Sequence, residues 1–240
     1  YMAPTTNLDA IVSFQKNVGL DRQTTTTAMS YAWKSSKKLG HGIDLINLSY
    51  IKNQNINNYF PIYASEYQKL NDASETVYGV SLPENKADNN AVFLGFMNVF
   101  LSPSEGNDIK YPDEYDSVSD VQERREILIE DSFVPAISYS FTYNTRENIK
   151  DNDFSYFTAR LVSAGTFTKQ LFQNKNESGQ RVLFDVPIAQ YLKAEFEYKK
   201  YWELGYENIL VFRTFVGGAI PYGNSSNVPF SRSYSAGGSN

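Results

Sequence analysis

With 240 residues, 41% of them apolar, the chain carries enough hydrophobic material to fold rather than remain disordered. Its net charge is only −5, with acidic and basic residues scattered, so there is no basic footprint for nucleic acid. No cysteine and a single histidine, His41, remove disulfides, thiolate sites and cysteine nucleophiles and leave no Ser-His-Asp or multi-histidine metal set; neither enzymatic chemistry nor a cofactor is expected.

Alternation of apolar and polar residues is the dominant pattern, and it predicts an all-β fold of about seven strands. The first covers residues 9–16. The second, 24–34, sets Met29, Tyr31 and Trp33 against Thr24, Thr26, Ala28, Ser30 and Ala32. The third, 43–51, sets Ile46, Leu48 and Tyr50 against Leu45, Asn47 and Ser49. Residues 52–131 then form a long connection, too long to be structureless in a compact domain. Two pieces of it, YASEYQKLND and DSVSDVQERREILIE, have the composition of short helices.

The fourth strand, 132–143, alternates most clearly: Phe133, Pro135, Ile137, Tyr139, Phe141 and Tyr143 face away from Ser132, Val134, Ala136, Ser138, Ser140 and Thr142. A fifth strand covers 153–163. The sixth, 190–202, opposes Leu192, Ala194, Phe196 and Tyr198 to Tyr191, Lys193, Glu195, Glu197 and Lys199. The seventh, 208–220, opposes Leu210, Phe212, Val216 and Ile220 to Val211, Arg213, Phe215 and Gly217. Folding the last two about a turn at 203–207 places residue 213 opposite about 196 and brings Arg213 toward Glu195 or Glu197.

Short connections at 35–42, 144–152 and 203–207 alternate with long ones at 52–131 and 165–186, as in an up-and-down meander whose short turns lie at one end. A soluble sandwich also alternates its faces. Several strands of ten or more residues favour a membrane span, because about 9–11 tilted residues cross the hydrocarbon layer. The 18 tyrosines and 16 phenylalanines fit strands and membrane interfaces as well. On the barrel reading Tyr139, Phe141, Phe196, Tyr198, Phe212 and Val216 face lipid, while Arg160, Lys193, Glu195, Glu197, Lys199 and Arg213 are lumen charges.

The closing stretch, LVFRTFVGGAIPYGNSSNVPFSRSYSAGGSN, resembles the segment of the BamA/TamA surface-antigen superfamily that climbs to its sixth extracellular loop. There a phrase of the type P-F-x-x-x-F/Y-x-x-G-G-x-N leads into an Arg-Gly-aromatic motif. Pro229, Phe230, Tyr234, Gly237, Gly238 and Asn240 match that lead, and Arg232 lies within it. YAWKSSKKLGHGIDLINLSYIK resembles the family's G-Y-x-W-K strand, turn and following strand, with Ala32, Asp44 and Leu45 departing from its pattern. DSFVPAISYSFTYNT resembles the strand after its long fourth loop.

The resemblance implies that the chain, 1–240, is part of a 16-stranded transmembrane β-barrel, about strands five to eleven, cut before the loop-six motif. Residues 52–131 would be an extracellular loop insertion. It further implies residence in the bacterial outer membrane and the assembly, insertion or translocation of client outer-membrane or secreted proteins. Outer-membrane lipids and accessory lipoproteins would be its other partners. A diffusion porin or receptor barrel, and a soluble β-rich binding protein, are the alternatives.

Four further features carry bland expectations. His41, between Gly40 and Gly42, reads as a turn residue. Asp151–Asp153 and SEGND resemble calcium loops without completing one. Gly217-Gly218 reads as a barrel bend rather than a phosphate loop. Glu195 and Glu197 suggest a lumen charge ladder with Lys193 and Lys199 more than a glycosidase pair.

Overall fold

A computed structural model of the chain describes residues 3–16, 21–205, 208–229 and 232–233. Seven long strands appear where alternation predicts them: β1 (Thr5–Lys16), β2 (Asp21–Lys34), β3 (Leu39–Gln54), β4 (Ser132–Asn144), β5 (Ser155–Ala164), β8 (Tyr191–Gly205) and β9 (Asn208–Pro221). They form one sheet in chain order, and each pairing from β3 onward is antiparallel. The β5–β8 connection adds a one-turn helix, α6 (Thr168–Leu171), and a small hairpin, β6 (Val182–Leu183) with β7 (Val186–Pro187). Among the described residues the sheet does not close on itself: β1 and β9 are its edges. Its strands run from 10 to 16 residues, longer than the five or six usual in globular sheets.

The chain divides into two compact units, the second comprising residues 13–23 and 52–130. Five helices build it: α1 (Tyr59–Ile62), α2 (Ala64–Tyr78), α3 (Asn90–Phe100), α4 (Asn107–Lys110) and α5 (Pro112–Ile129). Local chemistry sets their ends. Pro112 opens α5, where a missing N–H costs nothing, and Asp113 and Glu114 sit favourably at the positive end of the helix dipole. Gly79 stops α2 in the left-handed region, φ 66°, and donates its N–H to the Glu75 carbonyl.

This unit holds the larger apolar core. Tyr59, Phe60, Leu70, Phe93, Phe100, Val118 and Val121 are fully buried. Glu66, buried with them, is paired with Arg124 at 2.9 Å and Lys69 at 3.4 Å. Burial pushes the Tyr59 hydroxyl strongly up, a shift that nearby Glu66 reinforces.

The expectation of two short helices is corrected here. Both are full-length, at 15 and 18 residues, and α3 joins them. The α3 sequence, NAVFLGFMNVF, buries Asn90, Phe93, Met97 and Phe100 at helical spacing, and exposed Val92 and Val99 make its other side apolar as well.

Candidate functional site

Register sorts the sheet into two chemically different faces. Across β4, β5, β8 and β9 one row reads Ser140, Arg160, Glu195 and Gly217. The rows beside it read Thr142, Thr158, Glu197, Phe215 and Ser138, Val162, Lys193, Ala219. A further row adds Tyr156, Lys199 and Arg213. All six residues expected to be lumen charges therefore share one face. The opposite face carries Tyr139, Phe141, Phe196, Tyr198, Phe212 and Val216 together, the six expected to meet lipid. Phe212 and Val216 are 50% and 65% exposed on that side.

The charges pair among themselves. Lys193 meets Glu195 at 3.0 Å, Lys199 meets Glu197 at 3.0 Å, and Arg213 donates Nε to Glu197 at 2.6 Å. The Arg213–Glu197 pair forms diagonally, since Arg213 lies opposite Lys199 rather than residue 196. The register differs from the expected one because pairing continues to Gly205 and Asn208, with a shift between Glu203 and Gly205. Glu195 and Glu197 thus sit in an ionic ladder.

Asp44 extends the ladder onto β3. Arg160 donates Nη2 to Asp44 Oδ2 at 3.2 Å and to Ser138 Oγ at 3.4 Å. A bulge follows: β3 carries one residue more than β4 between Asp44 and Asn47. Past it, odd instead of even positions of β3 face the charges, so Asn47, Ser49 and Ile51 continue the face that Gly40, Gly42 and Asp44 begin.

Arg232 caps this region from the far end of the chain. Its Nη2 donates to Ser49 Oγ at 2.7 Å, and its carbonyl accepts from Lys193 Nζ at 3.1 Å. Ser49, fully buried, also bonds to Thr26 Oγ1 and Asn47 Oδ1. Asp44, Asn47, Ser138, Arg160, Tyr191 and Arg232 line a cavity of about 80 Å³. The Pro229 carbonyl accepts the Arg232 and Ser233 N–H groups at 2.8 and 3.1 Å, turning the chain just before this contact. Val228 packs on a small apolar cluster of Ile51, Val134, Ala164, Ala189 and Tyr191. Of the expected loop-six lead, Phe230, Tyr234, Gly237, Gly238 and Asn240 lie outside the described residues.

A second network anchors the chain after β9 to the β5–β8 connection. Gln190, buried, donates Nε2 to the Gly165 carbonyl at 2.6 Å and accepts the Asn224 N–H at 2.6 Å. Asn224 Nδ2 donates to the carbonyls of Arg181 and Ile188 at 2.9 and 2.7 Å, and its Oδ1 accepts the Arg181 N–H. Gly165, at φ 68°, leaves no room for a side chain: a Cβ there would lie 2.5 Å from the Ala189 carbonyl oxygen.

His41 is not a turn residue. It lies inside β3, opposite Phe141, because the preceding turn occupies only 35–38. Its ring stacks on Trp33 at 5.1 Å, and its two nitrogens bond to Ser35 Oγ at 2.9 Å and the Tyr139 hydroxyl at 2.8 Å. This places His41 within an aromatic band on the aromatic face near the short turns. Asp151 accepts the N–H groups of Glu147 and Asp153, which closes its own loop. No cluster of three metal-ligating side chains exists among the described residues. Gly217 and Gly218 stay in unbroken register with Glu195 and Ala194, so pairing passes through them without interruption.

Asp44, Ser49, Tyr191 and the His41–Tyr139 contact lie outside the expected site. The polar residues of β3 do switch from even to odd positions between Asp44 and Asn47, and that switch is the sequence trace of the bulge. Among the described residues no helix is long and apolar enough to cross a membrane, which leaves crossing by strands open. No protein-family model, no curated protein and no solved structure matches this chain.

Proposed function

We propose that this sheet is part of an outer-membrane β-barrel that assembles, inserts or translocates other proteins. The aromatic face would meet lipid and the charged face line the lumen. The observation that carries the reading is the six-and-six division of faces over strands of 10 to 16 residues. Large apolar side chains standing in water would leave their transfer free energy unrealised, about 1.5–3 kcal/mol for each fully buried one. In hydrocarbon the same side chains are at home, and the paired charges of the other face stay in a polar interior.

The role in assembly rests on two supports. The closing segment resembles the loop-six lead, and Arg232 within it docks on the polar face at Ser49. An edge strand in lipid has unpaired backbone groups that cost several kcal/mol each, so a barrel able to open such an edge offers client strands a template. Covalent chemistry has no part in this. Clients would be outer-membrane or secreted proteins, with lipids and accessory lipoproteins as neighbours.

Single-cysteine variants test the barrel, since the chain has no native cysteine. A membrane-impermeant thiol reagent is expected to label positions 138, 140, 195, 197 and 213 and to spare 139, 141, 196, 198, 212 and 216. Uniform labelling would remove the barrel. Deleting 229–240 tests the assembly role: the barrel is expected to insert, shown by heat-modifiable gel mobility, while folded client barrels fall in the membrane. A folded variant with undiminished clients favours a diffusion porin or receptor instead.

A further inference from the structure

The two short turns at 35–38 and 145–154 bound a groove of about 990 Å³, lined by Lys34, Ser35, Ser36, Lys37, Lys38, Arg146, Glu147 and Asn148. Four cations face one carboxylate there. That carboxylate, Glu147, is held only loosely, 3.9 Å from Lys38, and both side chains are largely exposed. Arg146 is fixed by neutral partners: it donates to the carbonyls of Asp151 and Ile149 at 3.2 and 2.6 Å and lies 5.0 Å above the Phe154 ring. Its charge is therefore oriented but not neutralised. Ser36 Oγ accepts the N–H groups of Lys38 and Leu39 at 3.3 and 3.2 Å, which shapes the turn that presents Lys37 and Lys38.

We propose that this groove binds the phosphate of an anionic phospholipid headgroup. The inference rests on the membrane-barrel reading and adds a lipid site to it. Excess positive charge calls for an anion, and the surroundings select a lipid over a soluble one. The adjoining groove runs along the polar face, where Gly40, Gly42, Ser140 and Thr142 line it with Lys34, Lys37, Lys38 and Arg146, and the stacked rings of Trp33 and His41 lie on the other face of the same strand ends. Lys200 lies 5.9 Å over the Trp202 ring, and Phe154 stacks on Tyr201 at 4.2 Å, so cations and aromatic rings share this end of the strands. Rings with cations beside them are the composition of the level at which headgroup phosphates lie.

Trp33 supplies the readout. The chain has two tryptophans, so Trp202→Phe leaves Trp33 as the sole reporter. The protein, folded in neutral detergent, is titrated with dioctanoyl phosphatidylglycerol, dioctanoyl phosphatidylcholine, inorganic phosphate and poly-glutamate. The phosphatidylglycerol arm is expected to give a saturable change in Trp33 fluorescence that weakens with added salt. Combined Lys37→Gln and Lys38→Gln should raise the midpoint by about tenfold or more. An equal response to phosphatidylcholine, phosphate or poly-glutamate, or no effect of the double substitution, overturns the proposal. Heat-modifiable mobility is recorded on the same samples: its loss counts against the membrane reading, whereas retained mobility with no lipid selectivity counts against the groove alone.

Discussion

The helical unit and the sheet use the same large side chains in opposite ways. Phe93 and Phe100 are fully buried between helices, whereas Phe196, Phe212 and Val216 stand 44%, 50% and 65% exposed on the sheet. In the helical unit buried charges are few, Glu66 and Arg125, and Glu66 is paired with Arg124; on the sheet the ionic ladder runs along one face. Residues 52–130 gather most of their large rings into a closed core, whereas the sheet displays its rings along one face; on the proposed barrel reading that face would meet an apolar medium.

The widest break between the two regions comes from truncating a ring in each. Phe93→Ala is expected to destabilise the helical unit by about 3–5 kcal/mol, the usual cost of removing a core phenylalanine. Its helical circular dichroism should then be lost at lower denaturant. Phe212→Ala should leave that transition in place and lower the stability of the protein in bilayers by at most about 3 kcal/mol. Equal effects of both in water would erase the contrast.

A smaller effect is expected within the sheet's loops. Asn224→Ala removes three bonds to the 181–188 segment, among them those to the Arg181 N–H and the Ile188 carbonyl, costing about 1–3 kcal/mol. Hydrogen exchange should speed at 181–190 and stay unchanged in the helical unit. Smaller again is the ladder: Arg213→Ala and Glu197→Gln, alone and combined, should show a coupling of about 0.2–1 kcal/mol in unfolding.

The smallest effect lies on the helical surface. Hydrogen bonds from Ser81 and Asn71 hold the Glu75 carboxyl below its ordinary range. A lowered carboxyl contributes stability above its unfolded value, and that contribution is lost as pH falls through the folded one. The helical unit should therefore lose slightly more stability in acid than its Glu75→Gln variant, measured by unfolding at pH 7 and below pH 4.

All seven long strands and both faces were legible because period-two alternation survives wherever the two sides of a strand differ in chemistry. Tyr139 and Phe141, like Glu195 and Glu197, announce their side by parity alone. Register was less legible. The expected turn at 203–207 misplaced Arg213 by three partners, since nothing in KKYWELGYEN marks where pairing ends. Helix α3 escaped because its buried stripe of Asn90, Phe93, Met97 and Phe100 begins on a polar residue and stands among exposed apolar neighbours, Val92 and Val99. His41 escaped because two flanking glycines imitate a turn, although glycine here allows close approach across a strand pair: a Cβ on Gly42 would come within 2.6 Å of Ser140 Oγ. The docking of Arg232 on Ser49 joins residues 183 apart, a separation that no local pattern spans.

The bulge in β3 also dictates which coding changes the strand can survive. Two residues, Leu45 and Ile46, stand where β4 offers only Ile137. Loss of one codon there would restore regular pairing and leave Asp44 beside Ser138 and Asn47 beside Ala136. Loss of one codon elsewhere in the strand would turn half of it over, sending either His41 or Ser49 to the wrong face. Among in-frame single deletions in β3, codons 45 and 46 are thus the expected survivors of a selection for folded protein.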